Sequence, residues 1–134
     1  MKPINMALCA AIVLSLSGCA AYKAKRQEQR TLFNATRPTC ANAEQCQPMW
    51  EMAQLWVSEH AQSDIKTANN VLIETYSGPR TTDLVYRISK VPLGGGKYRI
   101  QFEGYCTLEL GIGVCTPDTY TTGILFNQAI NKLR

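Results

Sequence analysis

Lys2, an apolar run from Met6 to Leu16 and the small pair Ser17-Gly18 stand in that order directly ahead of Cys19. A charged start, an apolar middle and a small-residue end form the three-part layout of a segment that directs export and is then removed. The run is about eleven residues long, well short of the ~20 that a membrane-crossing helix needs. As a buried core helix it would lack the polar face that such helices turn toward water. A leader over residues 1–18 limits what the rest can build. After a linker, roughly 95 residues from Cys40 onward remain for a core, and a domain that small buries a limited share of its surface. Covalent staples would help it.

Leu16-Ser17-Gly18-Cys19 resembles the lipobox of bacterial prolipoproteins. The match spans four residues, and its place directly after the apolar run makes it specific. The resemblance implies that the Cys19 thiol receives diacylglycerol, that cleavage leaves this cysteine as the first residue, and that its amine is acylated. The rival reading takes Cys19-Ala20-Ala21 as a small-residue site for the ordinary signal peptidase, which would release a soluble protein. A buried methylene contributes about 0.8 kcal/mol, so two or three acyl chains would make anchoring effectively permanent. Lipoproteins kept in the inner membrane commonly carry Asp after the cysteine, where this chain has Ala20. For a Gram-negative host the resemblance therefore implies the outer membrane, facing the periplasm.

From Ala20 to Pro38 the chain carries Lys23, Lys25, Arg26, Arg30 and Arg37 against Glu28 alone, with Tyr22, Leu32 and Phe33 as its large apolar groups. So little apolar surface cannot order a segment by burial, which predicts a flexible basic tether over residues 19–39. Its charges could also be drawn to anionic headgroups, at about 1 kcal/mol per residue near such a surface.

With Cys9 in the leader and Cys19 acylated, Cys40, Cys46, Cys106 and Cys115 remain. An even remainder in a small exported domain reads as two disulfides. Three pairings are possible; the local one, Cys40–Cys46 with Cys106–Cys115, closes short loops and suits the turn-like residues inside them. These gaps do not match the usual thiolate spacing of zinc sites, so no metal is expected. Cys-x-x-Cys, the usual redox arrangement, is absent from the sequence.

Within 40–134 the pattern predicts an α+β domain. Met49, Met52, Ala53, Trp56, Val57 and His60 recur at helical spacing between Pro48 and Ala61, with Trp50 and Leu55 widening the stripe. Three strand signals follow: Val71–Tyr76, then Leu84, Tyr86 and Ile88 alternating with Val85, Arg87 and Ser89, then Tyr98, Ile100 and Phe102 alternating with Arg99, Gln101 and Glu103. Pro92-Leu93-Gly94-Gly95-Gly96 reads as a hairpin loop, and Gly104 to Pro117 as an irregular stretch. Asp118 or Thr119 could cap a last helix whose stripe is Leu125, Phe126, Ala129, Ile130 and Leu133. The expected architecture is helix, three-stranded antiparallel meander, helix, with both helices on one face of the sheet. Trp56, Ile73-Glu74-Thr75-Tyr76, Gly96-Lys97-Tyr98, Cys106, Cys115-Thr116-Pro117-Asp118 and Phe126-Asn127 together resemble small uncharacterised proteobacterial lipoproteins over residues 46 to 133. That resemblance carries no assigned activity.

The same residues give little chemistry. Net charge is +4 without a dense basic stripe, which argues against nucleic-acid binding. His60 is the sole histidine, and no motif builds a nucleophilic triad around it. Gly94-Gly95-Gly96 lacks the Lys-Ser/Thr and helix start of a phosphate cradle. Glu74, Glu103 and Glu109 beside Arg87 and Arg99 read as solvated charges on the wet face of the sheet. Tyr76, Tyr105 and Tyr120 suit a sheet edge or core rim as well as a ligand surface. No catalytic residue and no cofactor is expected. The sequence points to a non-enzymatic envelope lipoprotein that binds an envelope protein or the cell wall, or supports assembly. Its contact surface would be an unpaired sheet edge or the face bearing Glu74, Arg87 and Arg99. The alternatives are a small-molecule or lipid carrier with a cavity lined by Trp56, Ile73, Tyr86 and Phe102, or an inhibitor of a secreted hydrolase acting through the loop Gly104 to Pro117.

Overall fold

The computed structural model describes residues 4–107 and 115–134, with side chains from Gly18 onward. The chain forms α1 (Ile4–Ala35), β1 (Thr39–Cys40), α2 (Ala43–His60), β2 (Ile65–Ala68), β3 (Leu72–Thr75), β4 (Val85–Gly94), β5 (Lys97–Tyr105) and α3 (Thr119–Asn131). Among the described residues the fold is α+β, with three helices and one antiparallel sheet in the order β1-β5-β4-β3-β2.

The expected meander is the centre of this sheet, β3-β4-β5. Ile73 pairs with Ile88 and Ile88 with Phe102, so alternate positions of three strands meet in one apolar row. β4 and β5 are joined by Gly95-Gly96, both at positive φ, the arrangement a two-residue hairpin turn needs and only glycine adopts freely. Two strands exceed the expectation. β1 is two residues long, and β2 reads Ile-Lys-Thr-Ala, short and charged as edge strands often are. Neither is long enough for a period of two to stand out.

On the inner face of the sheet, Trp56 of α2 lies 5.9 Å from Tyr86 and 5.3 Å from Phe126 of α3, and Phe126 lies 5.4 Å from Phe102. Met49, Ala53, Val57, Ile73, Ile88, Ile100 and Ile130 complete the core. Lys90 also falls on this side and places its ammonium over the rings of Trp50 and Tyr98, which explains a charge at an inward position.

Helix α2 starts at Ala43, five residues ahead of the expected Pro48. Asn42 caps it by accepting from the Gln45 amide, and the Gln45 side chain accepts in turn from the Ala41 amide. Pro48 therefore sits inside the helix, where it removes one intrahelical bond. The Cys40–Cys46 disulfide bridges β1 to the first turns of this helix. Leu55 and His60 of the expected stripe are exposed, while Trp50 is buried and donates to the Asn69 carbonyl at 2.9 Å. In α3 the cap is Asp118, and the helix buries Thr122, Gly123, Phe126, Asn127 and Ile130. Leu125 and Leu133 of the expected stripe point to solvent.

The expected flexible tether over 19–39 is corrected by the structure. Helix α1 continues to Ala35, and its last turns pack on α3. Phe33 is buried against Phe102, Tyr120 and the backbone at Gly123, where a Cβ would fall on the Phe33 ring. Arg26 pairs with Asp118 and Gln29 donates to Thr121. The last carbonyls of a helix have no internal partner; here Asn127 donates to the Phe33 carbonyl at 3.0 Å and Asn131 to the Thr36 carbonyl at 2.8 Å. Polar groups of α3 thus order a segment that too little apolar burial leaves unordered in isolation.

Candidate functional site

Two surfaces bring the candidate residues together: the outer face of the sheet and the groove beside its β5 edge. On the outer face the register aligns Glu74, Arg87 and Glu103 across three adjacent strands. Like-signed neighbours are thereby kept apart by one strand, the stabilising order for directly opposed pairs. The Tyr105 hydroxyl donates to Glu74 at 3.1 Å, and Gln101 donates to Glu103 at 2.7 Å. Partial burial, then the hydrogen bond and negative charge of Glu74, push the Tyr105 phenol above its ordinary value, against a smaller opposing effect of Arg87. Arg87 makes no close ion pair with either carboxylate among the described residues; the close pairs are Arg26–Asp118 and Arg80–Asp83. Arg99 lies farther along β5, opposite Val91 on one side and Thr39 on the other, and so apart from the Glu74–Arg87 row. Glu109 lies outside the described residues, as does much of the loop Gly104 to Pro117.

The groove is a consequence of how short β1 is. Strand β5 runs nine residues, while β1 pairs only with Tyr98 and Arg99, and the Pro38 carbonyl adds one bond from the Ile100 amide. Successive amides of a strand point to opposite sides. Since Ile100 points its amide away from β4, so do Phe102 and Gly104, and no strand pairs with them there among the described residues. Beside this stretch is a cavity of about 350 Å³, lined by Arg30, Phe33 and Arg37 from α1 and the α1–β1 link, Thr119 and Tyr120 from α3, and Gln101 to Gly104. The Arg37 guanidinium stacks 5.2 Å over the Phe33 ring, and its Nε is buried with no hydrogen-bond partner among the described residues.

A second cleft, of about 260 Å³, opens where α1 meets the start of α3 and is lined by Tyr22, Lys25, Arg26, Gln29, Asp118 and Thr121. Partial burial pushes the Asp118 carboxyl up. The amide and hydroxyl of Thr121 and the Arg26 guanidinium outweigh that and hold it below the ordinary carboxylate value. This cleft is already satisfied by its own ion pair.

The remaining candidates are dispersed. The rings of Trp56, Tyr86 and Phe102, expected with Ile73 to line a ligand cavity, pack on one another and on Phe126, and Ile73 is buried in the same core, so these side chains occupy that space. The Tyr86 hydroxyl donates to the His60 carbonyl at 3.0 Å, and burial pushes the phenol above its ordinary value. His60 is stacked 4.2 Å from Trp56 with Nδ1 against the Trp56 carbonyl, its other face exposed at the end of its helix. Tyr76 is exposed at the end of β3, and Tyr120 stacks under Arg26. Cys106–Cys115 is formed as well as Cys40–Cys46, which settles the pairing as the local one. Cys19 is a free, exposed thiol on α1. Among the described residues no cluster of His, Cys, Asp or Glu could hold a metal ion, and no helix is long and apolar enough to cross a membrane. Arg30 and Arg37 were not singled out by sequence reasoning, which took them as charges of a tether; nothing in their spacing marks them as a groove wall.

Family models, curated proteins and solved structures were compared with the chain, and none matches it.

Proposed function

We propose that this chain is a non-enzymatic lipoprotein of the cell envelope, anchored through Cys19 and acting as a protein-binding or assembly module, with the outer membrane as its site. The observation that carries the reading is the cysteine inventory: the four cysteines of the domain are joined in two disulfides, while Cys19, next to Ser17-Gly18, is left free and exposed. Paired cysteines suit an oxidising compartment, and a free accessible thiol behind small residues suits acylation.

The docking of α1 gives the anchor a mechanical meaning. Arg26, which contacts Asp118, is about 10 Å along the helix axis from Cys19 at the usual rise per residue. A lipid at Cys19 would mount the domain close to the bilayer on a stiff post, with Lys23 and Lys25 nearest the headgroups, where each basic residue contributes about 1 kcal/mol on an anionic surface. In place of a long leash, the protein would present the sheet to partners at a fixed distance from the membrane.

Radiolabelled palmitate supplied to the native host tests the anchor. The label should enter the protein, and Cys19→Ser should abolish labelling and release the chain from the membrane fraction. An unlabelled protein, or a serine variant that fractionates as before, would overturn the reading.

A further inference from the structure

We infer that the outer face of the sheet, at the end where Tyr105 stands, binds a saccharide: a pyranose ring stacks on the Tyr105 phenol, and its hydroxyl and amide groups are met by Arg87 and Glu103. The inference carries the assembly reading above to a glycan partner and does not depend on the lipid.

Val85 is the residue that reveals the platform. Tyr86 and Ile88 point into the core, so the outward positions of β4 are Val85, Arg87 and Ser89. Val85 is nevertheless only 1% exposed, although it does not belong to the core cluster. Tyr105 stands directly opposite it on β5, and the Tyr105 hydroxyl donates to Glu74 on β3, the strand beyond β4. Neighbouring strands are about 4.8 Å apart. A side chain that reaches from β5 to β3 must therefore cross β4, and its path starts over Val85 and runs toward Arg87. The phenol is pinned along the sheet, with one face toward Val85 and the other toward water, which leaves Tyr105 44% exposed. The negative face of an aromatic ring attracts weakly positive C–H groups, and the flat side of a pyranose presents such groups with hydroxyls around its rim.

The charges beside the platform select the same class of ligand. Glu74, Arg87 and Glu103 alternate in sign at strand spacing, and the exposed Arg87 makes no close ion pair among the described residues. A partner of one charge would meet repulsion one strand away from every attraction. A hydroxyl both donates and accepts, and an acetamido group offers one N–H and one carbonyl. A neutral amino sugar thus serves carboxylate and guanidinium alike. Tyr76, exposed two residues after Glu74, lies at the same end of the sheet as Tyr105 and offers a second ring to a longer chain.

Saturation-transfer NMR on the full chain, purified in a detergent without sugar groups, tests this with chitotetraose as the probe. Saturating the protein should mark the ring C–H protons of the saccharide, and those protons should move upfield over the phenol. Sorbitol, which has hydroxyls but no ring face, should show neither effect. Tyr105→Ala should weaken chitotetraose binding by about tenfold, and Arg87→Gln should weaken it by less. If Tyr105→Ala loses its dispersed amide spectrum, Tyr105→Leu, which covers Val85 without an aromatic ring, replaces it and is read in the same way. No marking of chitotetraose, equal marking of sorbitol, or undiminished binding in the Tyr105 variant would overturn the inference. Tighter binding of an alternating Val-Glu or Val-Lys peptide at Arg87 and Tyr105 would overturn it too, and would make this face a protein-docking surface. No membrane enters this measurement, so its failure leaves the palmitate result standing, and the reverse.

Discussion

Helices α1 and α2 both pack on the domain, yet they are held by different means. Helix α2 contributes Met49, Trp50, Ala53, Trp56 and Val57 to the core and is stapled at its start by Cys40–Cys46. Among the described side chains of α1, Phe33 is the buried one; the rest of its hold is the Arg26–Asp118 pair, the Gln29–Thr121 bond and the two asparagines of α3 on its last carbonyls. Apolar burial stabilises by about 25 cal/mol per Å² removed from water and resists local opening, whereas single polar contacts contribute about 1 kcal/mol each. The lesson is one of hierarchy: α2 should unfold only with the whole domain, while α1 can leave a domain that stays folded.

Trp56→Ala is the largest blow to the strong half of this comparison. Trp56 is only 6% exposed and touches the rings of His60, Tyr86 and Phe126, so the variant leaves a void between sheet, α2 and α3. Aromatic-to-alanine changes at such sites cost about 3–5 kcal/mol. Thermal unfolding should shift down by well over ten degrees in a domain of this size, with α2 and the sheet lost in one transition. Loss of α2 in a transition separate from the sheet would break the hierarchy from its strong side.

The same contrast explains what could be read in advance. Strands β4 and β5 alternate over enough positions to reveal their inner face, β3 shows as the β-branched and aromatic run Val71–Tyr76, and α2 shows its helical stripe, because local pattern and tertiary burial agree there. β1 and β2 carry two and four residues, fewer than a period needs. The docking of α1 depends on Asp118, Asn127 and Asn131, some 90 residues away along the chain. No periodicity within 19–39 records a partner at that distance, and composition alone argued for disorder. In the candidate site, the alternation on β4 and β5 put Arg87 and Glu103 on the wet face, but register alone aligns them with Glu74. The end of strand pairing along β5 was invisible for a related reason: it depends on where a two-residue strand stops.

Asn127→Ala probes the weak half. Its amide nitrogen reaches both the Phe33 carbonyl and the Thr36 hydroxyl, so alanine leaves a buried helix end without its cap. The Asn127 carbonyl oxygen has no partner itself among the described residues, which offsets part of the loss. About 1–3 kcal/mol is expected, and it should appear locally. Amide exchange should accelerate over residues 19–35 while α2 and the β4–β5 ladder keep their protection. Uniform acceleration across the domain would show that α1 belongs to the same cooperative unit as α2, and the proposed stiff post would then be part of the core.

Asp118→Asn gives the smallest effect and the sharpest readout. Asparagine caps helices about as well as aspartate, so the substitution keeps the bonds to Thr121 and removes the charge that pairs with Arg26. Each member of the pair is partly exposed, which limits its contribution to about 1 kcal/mol or less. The sign follows from titration. The Asp118 carboxyl in the folded chain is held below the reference value of 3.8, so the folded state favours the charged form. Its stabilisation is present at pH values above that reference and is lost as pH falls through the lower folded value. The difference in stability between the wild-type chain and the variant should therefore be steady near neutral pH and shrink toward zero below about pH 4. Salt should reduce it as well. A difference unchanged at pH 3 would mean that Asp118 acts on α1 only through its cap geometry, leaving the asparagines and Phe33 as the whole of what holds the helix down.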